Sequence, residues 1–249
     1  MSEGPRRERA LVLMVKVPYP GLCKTRLCPP LTHREAADLY RCFLEDLARE
    51  LPTWSVDADL VIAWADDDRR GADDAADSAD PNALPVPLAT IFAGVDGVPL
   101  RQRGPSLMAR MVDVFDQLRE QGYSSVVMRN SDSPHLPQSV VAEAFAALDA
   151  DPRGVVLGPD LDGGYYLVGI AEGSAAIFPA VMSTASVLEQ TVAACEEAGR
   201  PVSQLQAHLD VDTPDDLATF WLEFGGRADV REWATWRALD GHPAWERFE

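Results

Sequence analysis

Ala10–Val17 (ALVLMVKV) is an apolar, β-branch-containing run with no helical period, closed by Pro18, Pro20 and Gly21. Such a run reads as a central strand buried on both faces, and the prolines forbid a direct helical continuation. Helical spacing starts only at Thr32, which precedes Glu35 by three residues in a capping-box pattern, and Ala36, Leu39, Tyr40, Phe43, Leu44 and Leu47 then share one face. This strand–loop–helix order returns along the chain. Asp57–Trp64 reads as a second strand, a helix is expected after Pro105 through Met108, Met111, Val112, Phe115 and Leu118 to about Gly122, and Ser124–Asn130 reads as a third strand. A helix from about Pro137 to Leu148 is followed by strands Gly154–Pro159 and Tyr165–Ile170 around a DLDGG turn, a helix over Ser186–Ala198 and a VSQLQAH strand. In LDVDTPDDL, Thr213 caps a last helix, Pro214 takes its first position, and Asp215 and Asp216 favour its positive end. Strands alternating with helices indicate an α/β sandwich on a mostly parallel sheet. No internal repeat is present.

The 249 residues accommodate one domain, read as 1–224, and a tail, 225–249, whose Trp233, Trp236 and Trp245 suit a short amphipathic helix and an extended end. The tail is expected to dock back on the domain, a partner or homodimer contact being the alternative. Residues 66–81 (DDDRRGADDAADSADP) read as a solvated acidic loop and lack the glycine and glutamate of an EF-hand. A formal charge of −18 argues against a sequence-independent nucleic-acid binder, which needs a basic face. No apolar run approaches membrane-span length, and the N-terminus has no signal-peptide core. Cys23, Cys28, Cys42 and Cys195 include no CxxC pair and read as reduced thiols of a cytoplasmic protein, with Cys23 and Cys28 as a metal half-site the lesser alternative.

The chemistry is expected in two places. Only two lysines occur beside twenty arginines, and both, Lys16 and Lys24, flank the Pro/Gly loop after the first strand. A compact ammonium and a planar guanidinium are not interchangeable at a phosphate site. Lys16, Lys24 and Arg26 therefore read as phosphate-facing charge, with backbone N–H groups around Gly21 as further donors. The loop is not a Walker A motif, because GxxxxGK[ST] is absent.

Opposite stand three acidic loops, read as following strands, and in open α/β sheets ligands bind beyond the carboxyl ends of strands. Asp132 lies in SDSP, Asp160 and Asp162 in GPDLDGG with Gly163 and Gly164 permitting close backbone approach, and Asp210 and Asp212 in LDVD. Converging carboxylates suit Mg²⁺ (or Mn²⁺), completed by phosphate oxygens and water, with Asp132 and Asp212 as ligands. Asp160, Asp215 and Asp216 read as cap or turn residues, and His135 as a loop residue rather than a base.

KVPYPGLCKTRL, LTHREAADLYRCFLEDL, NSDSPHLP, LGPDLDGGYYLVGI and DVDTPDDL, in that order over roughly Leu11–Leu222, resemble the bacterial glycosyltransferase-like family of the nucleotide-diphospho-sugar transferase superfamily (DUF2064-type). That family is similar to the 2-phospho-L-lactate guanylyltransferases. The resemblance implies a GT-A-like three-layer α/β/α sandwich with a mixed, mostly parallel sheet. It assigns Lys24, Thr25 and Arg26 to nucleotide phosphates, Asp132 to metal and nucleotide with Ser131 beside it, and Asp212 to the second metal-side carboxylate. Asp162, Gly163 and Gly164 fall to the acceptor or nucleobase side. The sequence departs from the pattern at Asn130, where the family has glycine, at GPSLMARM, which lacks an acidic contact while Arg110 and Met111 match, and at Met182-Ser183-Thr184, where the family has tryptophan first.

Three functions fit. A nucleotidyltransferase would join an NMP from an NTP to a small phosphorylated or phosphonylated acceptor, releasing pyrophosphate, with Lys24 and Arg26 neutralising charge on the leaving group. A glycosyltransferase would use an NDP-sugar, with Asp162 as base. A non-catalytic homologue would bind nucleotide only.

Overall fold

The computed structural model describes residues 7–65, 80–173, 175, 177–182 and 185–242. All but the last two positions of the acidic 66–81 segment, as well as Ser183, Thr184 and Trp245, lie outside the described residues. Seven strands form one sheet: β1 (Arg9–Lys16), β2 (Asp59–Ala65), β3 (Gly97–Arg101), β4 (Ser125–Arg129), β5 (Val155–Pro159), β6 (Tyr165–Ile170) and β7 (Val202–Gln204). Their order is β3-β2-β1-β4-β6-β5-β7, and only β6 runs against its neighbours, β4 and β5. The sheet is thus mixed and mostly parallel, and the chain reverses its direction of travel between β1 and β4.

Helices α1 (His33–Glu50), α2 (Val86–Ile91), α3 (Leu107–Glu120), α4 (Gln138–Ala150), α5 (Val187–Glu197), α6 (Pro214–Phe224) and α7 (Ala234–Leu239) cover both faces. Side-chain alternation divides the core accordingly. Leu11, Leu13 and Val15 of β1 and Val127 of β4 join α1, α4, α6 and α7 on one face. Ala10 and Val12, with Val126 and Met128 of β4, join α3 and α5 on the other. Burial on both faces explains why β1 and β4 are apolar throughout rather than alternating.

The two capping signals are realised. Thr32 Oγ1 accepts from the Glu35 amide while Glu35 Oε2 accepts from Thr32 N, at 3.2 and 2.7 Å. Thr213 and Asp216 repeat the pattern at the start of α6. α2 and β3 were not anticipated: both are short, and Pro85, Pro87 and Pro99 break any sustained pattern, Pro99 being tolerated because β3 is an edge strand. VSQLQAH forms strand only over Val202–Gln204, continued by an isolated bridge between His208 and Asp160. Asp210 and Asp212 therefore sit on an irregular segment rather than directly after a strand, as the spacing had suggested.

After α6 the chain makes a short turn at Val230–Glu232 and enters α7, which packs on α1. The buried Asp46 carboxylate of α1 accepts from Ala234 N and Thr235 N at 2.7 and 2.9 Å, so it caps α7 from outside. Trp236 stacks on Trp221 with ring centroids 3.9 Å apart. No helix among the described residues is long and apolar enough to cross a membrane.

Candidate functional site

A cleft of about 580 Å³ opens beside the ends of β1 and β4, where the strand order reverses. Ligands of open α/β sheets bind at such a reversal. Of the residues expected to carry chemistry, Lys16, Arg26, Asp132, Asp162, Gly164 and Asp212 line it. Gly21, Lys24, Thr25, Ser131 and Gly163 are not among the residues that line it.

Lys24 is the only non-glycine residue with positive φ among the described residues, at 49°, immediately before a 3-10 turn over Thr25–Leu27. That conformation is disfavoured for an L-residue and is kept where the surroundings enforce it. Here the enforcing contacts are polar. Lys24 Nζ donates to Val211 O at 2.5 Å, pairs with Asp132 Oδ1 at 2.7 Å and lies 3.9 Å from Asp212 Oδ1, with its side chain only 2% exposed. Burial disfavours the ammonium, but Asp132, Asp210 and Asp212 outweigh it, and the net shift in its pKa is upward. The geometry thus turns Lys24 toward carboxylates and a carbonyl, not into the open cleft.

Arg26 differs. Its side chain is 62% exposed, and Nη1 pairs with Asp212 Oδ2 at 2.6 Å. The N-terminal basic turn and the late acidic turn, nearly two hundred residues apart in sequence, therefore meet directly. Ser131 is buried and shares a 2.7 Å hydrogen bond with the Tyr40 hydroxyl, which also accepts from Lys16 N at 3.0 Å. It joins α1 to the ends of β1 and β4. Gly21, at φ 79°, has open space where a side chain would stand.

Asp160 holds the DGG turn, its Oδ1 accepting from Gly164 N at 2.6 Å and Asp162 N at 3.2 Å. Gly163 has φ 95°, and a Cβ there would overlap the Ala185 carbonyl. Only glycine fits this position. Asp160 is thus a turn residue, but one with an unusual acidity: burial, then the hydrogen bond and charge of Asp162, push it up to about 7. Asp210 accepts from Ser133 Oγ at 3.1 Å and is likewise pushed up to about 7, by burial and by Asp132, with Lys24 opposing.

These two protonatable carboxylates were not singled out as such by sequence. The DVD spacing displayed Asp210, but proton affinity depends on burial. The sequence also did not reveal a methionine-rich side of the cleft, built by Met14, Met111, Met128 and Met182. His135 packs against Phe220 and Phe224 at a second groove lined from α1, α6 and the tail. Burial, then the charge of Arg129, lower its pKa to about 3, so it is neutral and unsuited to proton pick-up near pH 7.

Asp132 and Asp212 keep 37% and 31% of their side chains exposed and offer hard oxygen donors. No group of three or more metal-ligating side chains converges among the described residues. The pair nevertheless fits a Mg²⁺-like cation, which takes one or two carboxylates and draws its other ligands from phosphate and water.

Sheet order, helical layers and the position of the cleft define a member of the nucleotide-diphospho-sugar transferase superfamily. Residues 55–184 match the family described as "Uncharacterized protein conserved in bacteria (DUF2064)", and the chain belongs to it. A crystal structure from Desulfovibrio desulfuricans G20, carrying a provisional nucleotide-diphospho-sugar transferase name, is 29% identical, with a TM-score of 0.80 and 97% of each chain covered. CMP:2-keto-3-deoxy-manno-octonic acid synthetase complexed with CTP is similar in fold alone, at 13% identity and TM-score 0.51 over 88% of this chain and 98% of that one. A cytidylyltransferase from Leptospira borgpetersenii serovar Hardjo-bovis (strain JB197) is similar to the same degree, at 11% identity and TM-score 0.51 over 94% and 93%. No curated protein matches the chain.

Proposed function

We propose that the protein is a nucleotide-dependent transferase, and specifically a nucleotidyltransferase that joins an NMP from an NTP to a small phosphorylated or phosphonylated acceptor. One observation carries this reading: Lys16 at the end of β1, Arg26 of the following loop, and Asp132 and Asp212 from two later turns line a single cleft at the strand reversal. The crystal structure at 29% identity, with its sugar-nucleotide name, supports a nucleotide as substrate. The CTP-bound synthetase and the cytidylyltransferase add a shared fold.

In this reading Lys16 and Arg26 face the triphosphate, Arg26 exchanging Asp212 for phosphate oxygen at little cost because it is exposed. Asp132 and Asp212 would hold a divalent cation, which would supply neutralisation of the charge on the phosphates. Lys24 keeps the two acidic turns together. The methionine side receives the flat or apolar part of a substrate by dispersion and shape, for which thioethers are well suited. An acceptor phosphate is already ionised near neutral pH, so its oxygen attacks the α-phosphorus as the bond to pyrophosphate breaks. No covalent enzyme intermediate is needed, and positioning and electrostatics carry the rate.

A second reading, transfer from an NDP-sugar with Asp162 as base, is favoured by the name of the 29% relative. Titration with GTP, CTP, ATP, UTP and UDP-glucose, with and without Mg²⁺, tests both. NTP binding with acceptor-dependent pyrophosphate release is the expected result. UDP-glucose turnover without it would replace the first reading by the second, and absence of any turnover would leave nucleotide binding alone.

A further inference from the structure

Arg129 ends β4 with its residue only 1% exposed. It forms no ion pair among the described residues. Its Nε donates to Asn130 O at 2.9 Å, its Nη2 to Ser133 O at 2.7 Å, and its Nη1 is buried without a partner. Trp54 covers the guanidinium, 5.7 Å from the ring centre. The two accepting carbonyls open and close the four-residue segment that contains Asp132. Ser133 then donates to Asp210, and the Asp132 carbonyl accepts from Val211 N at 3.3 Å.

We infer that Arg129 is a positioning residue: its fork closes the Asn130–Ser133 turn from beneath and so aims the Asp132 carboxylate into the cleft. The inference rests on the transferase reading for its functional consequence, but not for its geometry. Two hydrogen bonds in a fixed planar fork are what guanidinium supplies and ammonium does not. Burying a guanidinium without a paired carboxylate opposes stability, and its two hydrogen bonds answer carbonyls that an apolar replacement would leave without a donor. Burial lowers the Arg129 pKa to about 10, with Glu50 opposing, so the side chain stays charged near neutral pH. A charge kept at that cost serves the turn above it.

The test compares Arg129→Met and Arg129→Lys with wild type by crystal structure, thermal melting and GTP binding in Mn²⁺. Arg129→Met is expected to open the turn and to move Asp132 away from Lys24. It should also weaken GTP·Mn²⁺ binding by about tenfold or more, the scale of lost charge-assisted hydrogen bonds, with Arg129→Lys intermediate. An unmoved turn in the Met variant overturns the inference, as does an affinity loss that only tracks a lower melting temperature. If the Met variant does not fold, the turn in Arg129→Lys decides the question in the same way. Wild-type protein that binds no nucleotide would end the transferase reading, while the crystal structures would still decide the role of Arg129.

Discussion

Replacing Lys24 by methionine keeps most of the side chain's length and removes its charge. The ammonium it deletes touches Asp132 and the Val211 carbonyl and stands near Asp212, with its side chain 2% exposed. Removing one partner of a fully buried pair costs about 3–5 kcal/mol. Asp132 and Asp212 retain contact with solvent, so the expected loss here is about 2–4 kcal/mol. Unfolding entropy for a chain of this length is about 0.5 kcal/mol/K, which converts that loss to about 4–8 °C in melting temperature. The effect also has a pH signature. Lys24 has a raised pKa, so its contribution is fully present below the ordinary lysine pKa and fades only as pH rises through the shifted value. Between pH 5 and 8 the variable partner is Asp210, whose affinity for a proton is raised and which destabilises the fold as pH climbs from about 4 to about 7. Without Lys24 that decline steepens, so the deficit is larger at pH 8 than at pH 5. Calorimetric melts of wild type, Lys24→Met, Asp132→Asn and the double variant at both pH values measure it. A Lys24→Met melt within about 1 °C of wild type at pH 8, or an equal deficit at both pH values, would refute a staple that gains its strength from the carboxylates around Lys24.

Asp46→Ala should loosen α7, because two buried backbone donors lose their acceptor; about 1.5–3 kcal/mol is at stake, and limited proteolysis should cut first between α6 and α7. Asp210→Asn should raise the melting temperature at pH 8, and the gain should vanish below about pH 4, where the native carboxyl is protonated in folded and unfolded chains alike. Arg26→Ala should leave melting within about 1 kcal/mol of wild type, since its partner is a solvent-exposed pair, yet weaken NTP binding by about 1.5–3 kcal/mol. Titration calorimetry and melting of the same preparation separate these two outcomes.

Much of the architecture was legible because its signals are local. β1 and β4 declare themselves by continuous apolar runs, and α1 and α6 by capping boxes that form as read. α2 and β3 escaped because six- and five-residue elements interrupted by proline have no period to detect. At the site, sequence order identified the turns that converge, since helix and strand alternation dictates where strand ends lie. The direction of each side chain was another matter. Lys24 reads as a phosphate ligand by its neighbours, but a left-handed backbone and a carbonyl at residue 211 turn it inward, and neither is visible in a motif. Arg129 did not stand out in the sequence, where only the neighbouring Asn130 departs from the family pattern; its burial beneath the acidic turn required three dimensions.

α1 is gripped near both its ends by the same late stretch of chain. Asp46 engages the first amides of α7, and His242 approaches Glu35 in the opening turn, at 3.4 Å. Midway along this helix, the Tyr40 hydroxyl reaches Ser131 and the Lys16 amide. A cut before α7 would therefore be felt beyond the exterior it exposes. By releasing α1, it would slacken the tie between β1 and the aspartate-bearing turn, and a seemingly peripheral truncation would be read out as poorer alignment in the reaction chamber.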